Sequence, residues 1–299
     1  MVKRIRSISE FHEIRGLVKP NHPLISVVDY KDITYLKELD DSGWMLNFYS
    51  ISLKRTTPSK IAYGQQENDF DNGLISFIAP NQVFRILAEE KGAAEHSGWL
   101  LLVHQDFFWN THLSQKIKQY DYFDYAVNEA LFLCPKAEIT ITDIIKMIQQ
   151  EYNNNIDKFS QSIIVSHIET LLNYAERFYH RQFITRSKTH HQIINEMDRI
   201  LTDYFNDANM GLPTVKYLSN RLGISPSYLR DVLKNLTGKN TQQHIHDHLI
   251  GIAKEKLITT NLSVSEIAYK LGFEHAQSFS KLFKLKTQQS PLEFKAGFN

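Results

Sequence analysis

"TVKYLSNRLGIS" (214–225) and "SVSEIAYKLGFE" (263–274) are one phrase written twice, 49 residues apart. Val215 meets Val264, Leu218 meets Ile267, Leu222 meets Leu271, and Gly223 meets Gly272. One residue is then inserted, and at a separation of 50 "LRDVLKNLTG" (229–238) meets "FSKLFKLKTQ" (279–288). Leu229, Val232, Leu233 and Lys234 are matched there by Phe279, Leu282, Phe283 and Lys284. Nothing else in the chain constrains its fold as much, because a repeated supersecondary unit must find the same local structure twice.

Each copy has the same grammar. Thr214 and Ser263 are small hydroxyl residues placed to cap a helix, and Ser263 with Glu266 makes a capping-box pattern. Gly223 and Gly272 stand where the first helix must end in a left-handed conformation. Ile224 and Phe273, just after, are placed to plug the gap between two helices. Ser225 and Pro226 start the next helix as N-cap and first residue. A short helix, a glycine turn and a second helix make a helix-turn-helix. The spacing predicts one motif over 214–238 and another over 263–288.

A helix about 10–12 Å across fits the major groove of B-DNA. With Phe279, Leu282 and Phe283 held by the preceding helix, the opposite face is free to meet base edges. The residues expected on that face are Ser227, Tyr228, Arg230, Asp231 and Lys234 in the first copy. In the second they are His275, Gln277, Ser278, Lys281 and Lys284. Gln pairs with adenine, Arg or Lys with guanine, and outer lysines neutralise phosphates. This reading requires Tyr228 and Gln277 to lie exposed on a common side.

Charge agrees. From Thr214 onward there are 12 Lys and Arg against 6 Asp and Glu, a net +6, whereas residues 1–213 carry −5. Basic surface gathered in one terminal segment suits an anionic partner, although a merely solvated charged surface gives the same count.

The chain of 299 residues is long enough for two domains. Its composition, 42% hydrophobic and 22% charged, is that of a soluble globular protein, and no apolar run approaches the roughly 18 residues that span a bilayer. "MVKRIRSISEF" is basic and lacks the apolar core of a secretory signal. The single cysteine, Cys134, excludes an internal disulfide, fits a reducing cytoplasm and is expected to be a small buried hydrophobe.

Ahead of the repeat the periodicity changes once. Tyr49, Ile51 and Leu53 alternate with Ser50, Ser52 and Lys54, as in a half-buried strand. Asp71-Asn72-Gly73 marks a turn before Leu74–Ile78, and "SGWLLLVHQDF" reads as a strand buried on both faces. These short strands predict a small β-barrel or sandwich over about 20–110. From about 139 to 182 the period is helical: first Ile141, Ile144, Ile145, Ile148 and Tyr152, then Ile164, Ile168, Leu171, Leu172, Ala175 and Phe178. These two helices either cover the sheet or pair with a second subunit. "HRQFITRSKTHH" (180–191) is polar without an apolar period, so a linker is expected over 186–192. A helix with Ile193, Ile194, Met197, Ile200, Leu201 and Phe205 follows and stops near Gly211 and Pro213.

"SVSEIAYKLGFEHAQSFSKLFKLKTQQSPLEF" resembles the AraC/XylS family of bacterial transcription regulators. The residues that carry the resemblance are Ile267-Ala268, Gly272-Phe273, Ser278 and Ser280 around Phe279, Phe283-Lys284, and Ser290-Pro291 to Phe294. "LGISPSYLRDVLKNLTGKNTQQHI" resembles the family's first, more variable motif. The resemblance covers about the last hundred residues. It implies an α+β protein: a seven-helix DNA-binding domain over 193–299 behind a sensing and dimerisation domain over 1–185. That first domain would hold a small, cupin-like β-barrel followed by dimerising helices.

The implied function is sequence-specific transcription regulation in the bacterial cytoplasm. Two recognition helices would enter successive major grooves of double-stranded DNA, about one turn apart. The implied partners are a second copy in a homodimer, a small-molecule effector and RNA polymerase, with no membrane and no cofactor. The chain departs from the family pattern at three places. Gln288 replaces the usual Gly after the second recognition helix, Leu249 stands where many relatives carry Arg, and Glu274-His275 replaces Asp-Pro.

Rival chemistries find less support. Among His244, His246 and His248 only the first and last share a helix face, and no Glu or Cys completes a metal set. His104 is followed by Gln105 and Asp106, without the His-x-His and downstream Glu of metal-binding barrels. No phosphate-cradling glycine loop and no Gly-x-Ser-x-Gly elbow occurs, so a non-enzyme is expected. Trp44, Phe48, Tyr63, Phe77 and Trp99 are either cavity lining or plain core. The competing functional readings are a ligand-binding or enzymatic barrel fused to a DNA-targeting module, and a basic interaction protein that binds DNA without sequence preference.

Overall fold

The computed structural model describes residues 2–34, 43–55, 62–63, 66–67, 73–84, 97–126, 129–154, 157–185, 187–206 and 211–297. The chain divides into two compact units, Met1–Gln182 and Phe183–Asn299.

In the first unit, β1 (Val2–Ile5) and α1 (Ile8–Ile14) precede β2 (Ile25–Asp29), β3 (Gly43–Leu46) and β4 (Tyr49–Arg55). The pair β5 (Ala62–Tyr63) and β6 (Gln66–Glu67) leads to β7 (Leu74–Ile78), β8 (Val83–Phe84) and β9 (Ser97–Val103). A short α2 (Leu113–Lys116) and β10 (Leu131–Phe132) come before α3 (Pro135–Asn153) and α4 (Ser160–Thr185). One sheet has the order β1-β3-β8, with β1 parallel to β3. The other is antiparallel with the order β10-β7-β4-β9-β2.

The run Leu100–Val103 is buried on both faces, and β9 is central in its sheet, paired with β4 on one side and β2 on the other. Gly98, the second residue of that strand, is at φ 131°, and a Cβ there would lie 2.0 Å from the Leu53 carbonyl oxygen, so the close approach of β9 to β4 requires glycine. Trp44 and Leu46 from one sheet pack with Val28, Leu100 and Leu102 from the other, and with Ile8 and Phe11 of α1. Among the described residues the strands form open sheets, where a closed cupin-like barrel was expected. Alternation along a strand reports which face is buried, not which strands meet edge to edge.

Trp44, Phe48 and Phe77 are core, and Trp99 is half-buried. The side chain of Tyr63, like Asp71 and Asn72, lies outside the described residues. The expected apolar faces of α3 and α4 are buried, with Phe178 at the margin. The loop and helical turns over 105–123 hold α4 within this unit, through Tyr122 donating to the Leu172 carbonyl at 2.8 Å and Gln161 donating to that of Phe107 at 2.7 Å. Cys134, expected to be buried, is exposed because it is the N-cap of α3, where the chain turns at the surface before Pro135.

The second unit is helical. It contains α5 (Ser187–Asn206), α6 (Val215–Leu222), α7 (Pro226–Thr237), α8 (Thr241–Thr259), α9 (Val264–Lys270), α10 (Ala276–Thr287) and α11 (Pro291–Ala296). Residues 187–192, expected in the linker, are already in α5. The first turn of a helix needs no apolar stripe, so the hydrophobic period gives no notice of it.

Two small cores hold this unit. Met197, Ile200 and Leu201 of α5 pack with Leu218, Leu229, Leu233 and Ile245. Leu249, Ile250, Ala253 and Leu257 of α8 pack with Ile267, Ala268, Leu271, Phe273, Phe279 and Phe283. The helix α8 gives its first turns to one core and its remaining length to the other. Leu249, one of the departures noted in the sequence, is fully buried in the second.

Candidate nucleic-acid interface

Both motifs take the expected local form. The Thr214 hydroxyl accepts from the Tyr217 N–H at 3.1 Å. Gly223 ends α6 at φ 68°, ψ 25°, and the Ile224 N–H returns to the Ser219 carbonyl at 3.1 Å. The Ser225 hydroxyl then accepts from the Tyr228 N–H at 3.1 Å, with Pro226 as the first residue of α7. In the second copy Ser263 and Glu266 close a full capping box. The Ser263 N–H and hydroxyl, both donating to Glu266, hold its carboxyl below the usual carboxylate range. Gly272 turns at φ 87°, and the Phe273 N–H bonds the Ala268 carbonyl at 3.0 Å. The Phe273 ring meets Phe279 edge-on at 5.5 Å, which fixes α10 against α9.

The two second helices differ in what they leave exposed. On α10 and its N-cap, His275, Gln277, Ser278, Lys281 and Lys284 are all exposed, as expected. Of the five residues expected to face outward on α7, only Lys234 is fully exposed, while Ser227, Arg230 and Asp231 are half-buried. Arg230 donates through Nε to Asp231 at 3.0 Å, so these two charges face each other.

Tyr228 contradicts the sequence reading. It is 5% exposed, its ring packed 5.5 Å from Phe183 at 61°. The common exposed side required of Tyr228 and Gln277 therefore fails at Tyr228, so that condition lends the reading no support, which is left to the exposed face of α10 and to Lys234 on α7. Its phenol ring is large and apolar enough to be drawn into local packing, which no heptad position announces.

Sequence reasoning also missed Leu285, which is 71% exposed. At helical spacing it falls beside Lys281 and Gln288, on the stripe of Gln277 and Ser278. An isolated Leu in an amphipathic helix reads as core, so no signal marked it.

The three histidines of α8 do not converge. His244 meets the Thr237 hydroxyl at 2.8 Å, and His246 meets the Gln242 amide at 2.9 Å. His248 stacks on Phe205 at 6.1 Å. Burial holds all three imidazoles below their ordinary pKa. Among the described residues no group of three or more His, Cys, Asp or Glu side chains is placed to hold a metal ion. No helix of the described residues is long and apolar enough to cross a membrane. In the first unit an open cleft of about 490 Å³ is lined by Tyr49, Asp106, Phe108, Trp109, Asn110 and Lys118 among others.

Two glycine-hinged motifs built on one central helix define a tandem helix-turn-helix domain. A family model described as a helix-turn-helix domain matches residues 218–297. An uncharacterised helix-turn-helix transcriptional regulator of Pseudoalteromonas carrageenovora is 36% identical over 105 residues, covering 35% of this chain and 59% of its own length. The arabinose operon regulatory protein of Escherichia coli is 29% identical over 104 residues, 35% of each chain. The C-terminal domain of the two-component response regulator yesN from Fusobacterium nucleatum is 29% identical, with a TM-score of 0.30, covering 34% of this chain and 95% of that one. The C-terminal domain, over residues 218–297, is of the AraC/XylS helix-turn-helix type. The match spans just over half the length of the first of these regulators and about a third of the second.

Proposed function

We propose that the chain is a sequence-specific, DNA-binding transcription regulator acting in the cytoplasm, with α7 and α10 entering successive major grooves of one duplex. The observation that carries this reading is the exposed stripe on α10, propped from behind by Phe279 and Phe283, in a domain of the AraC/XylS type. In it, Gln277 and Ser278 near the start of α10 meet base edges, while Lys281 and Lys284 neutralise phosphates. His275 lies at the groove edge. On α7, Lys234 takes a phosphate, and Ser227 with the Arg230–Asp231 pair faces the bases. Tyr228 takes no part, being packed on Phe183.

Residues 1–185, the first unit with the last residues of α4, serve as a sensing and dimerising domain, pairing two copies. A small-molecule effector remains part of this reading by likeness to regulators of this type; the open cleft beside Tyr49 does not by itself carry it.

Selection of bound duplexes from a random pool tests the reading. A defined consensus is expected; steep salt dependence without any consensus would leave only a basic interaction protein. On the selected duplex, Lys284→Ala weakens binding to all sequences alike and lowers the salt slope by about 1, while Gln277→Ala relaxes preference at one base pair. Uniform loss in both variants would remove Gln277 from the reading face.

A further inference from the structure

Asp247 stands on α8 where three stretches of chain meet. Its Oδ2 accepts from Lys239 Nζ at 2.8 Å, and its Oδ1 accepts from Lys286 Nζ at 2.8 Å. Lys239 lies between the left-handed Gly238 that ends α7 and the Asn240 that caps α8. Lys286 is in the last turn of α10. Each carboxylate oxygen is therefore committed to a different half of the domain.

Burial alone would raise the pKa of Asp247, but the two ammonium groups outweigh it and hold the carboxyl below its ordinary range. The side chain is about one-third exposed and that of Lys286 one-quarter, so the bridge is partly shielded from water. It is not part of the repeated grammar. Lys286 matches Leu236 in the first copy, and Lys239 matches Gln289 in the second. The bridge is an addition at the junction between the copies, where the two cores share no fully buried residue and both pack against Phe205.

We propose that Asp247 is a positioning residue for DNA reading, which fixes the distance and rotation between α7 and α10. This rests on the proposed function. Two reading heads on one chain gain affinity because the second binds intramolecularly, and that gain is greatest when their separation is held at the span of the two sites. A partly exposed ion pair contributes little to global stability, so its effect falls mainly on geometry.

The test compares the full-length wild type with Asp247→Asn and Lys286→Met on duplexes selected by the wild type. The duplexes carry both boxes at native spacing, both boxes with one base pair added or removed, or a single box at low salt. Asp247→Asn is expected to lose about tenfold on the native two-box duplex and to stay within about twofold of wild type on each single box. It also discriminates less between spacings, and Asp247→Glu recovers part of the loss. An equal loss on single-box and two-box duplexes, or no loss on the latter, overturns the proposal. Circular dichroism melting checks folding; if Asp247→Asn does not fold, Lys286→Met is judged by the same affinities. Failure of the wild type to select any consensus counts instead against the proposed function.

Discussion

The two helix-turn-helix copies share a plan and differ in how firmly each is finished. In the first, α7 begins on a Ser225 cap and ends on a left-handed glycine, Gly238 at φ 74°. In the second, α10 begins on His275 without a side-chain cap and ends on Gln288, left-handed at φ 64°. The preceding helices reverse the contrast: α9 has a closed capping box, α6 a single threonine cap. The first recognition helix is locally well made and partly covered. The second is poorly capped, held by three aromatic rings, and fully open on its outer face. Local finish and exposed reading surface are thus traded between the copies, and tertiary packing makes up what capping lacks.

The sharpest way to break this comparison is Phe283→Ala, expected to cost about 3–5 kcal/mol. The loss should fall on α9, α10, α11 and the second half of α8 and spare α6 and α7, because the first core contains no residue of α9–α11. Hydrogen exchange should show those amides deprotected while α6 and α7 keep their protection; simultaneous loss would mean a single cooperative unit. Next come the equivalent C-caps. Gly238→Gln should destabilise by about 1–2 kcal/mol and Gln288→Gly stabilise by about 1, both read by urea denaturation. Nothing lies within 4 Å of a Cβ at Gly238, so backbone conformation alone decides the sign there. At the equivalent N-caps, Ser225→Ala should cost about 1 kcal/mol, whereas His275→Ser should gain up to that much by supplying the missing acceptor.

The smallest effect is acid sensitivity. The lowered pKa of Glu266 means its stabilisation is complete above the unfolded value, about 4.3, and is lost as pH falls through the folded value. The first copy has Tyr217 at the matching position, so acid should loosen the start of α9 before that of α6, which an NMR titration of their first-turn amides would read.

Much of the second unit was legible in advance because its determinants are local. Caps, left-handed glycines and the apolar faces of α6, α7, α9 and α10 depend on residues within a few positions of one another. The reading failed where partners are distant in sequence. Tyr228 looks exposed until Phe183, 45 residues earlier, is placed beside it. The bridge from Asp247 to Lys286 spans 39 residues and leaves no trace in any window. The sheets fail for the same reason, since β1 pairs with β3 across the whole of α1 and β2. Leu285 was missed for a different reason: hydrophobicity predicts burial only on average, and this side chain is left largely exposed.

One helix lies under both motifs, and that gives its length a meaning its composition does not. Between Ile245, in the first core, and Leu249, in the second, α8 makes about one turn. One residue inserted there would advance the second reading head by about 1.5 Å and swing it by about 100°. On the proposed function, sequence preference is then free to drift on the outer faces of α7 and α10, whereas the phase between them changes only in steps too large for a duplex to follow.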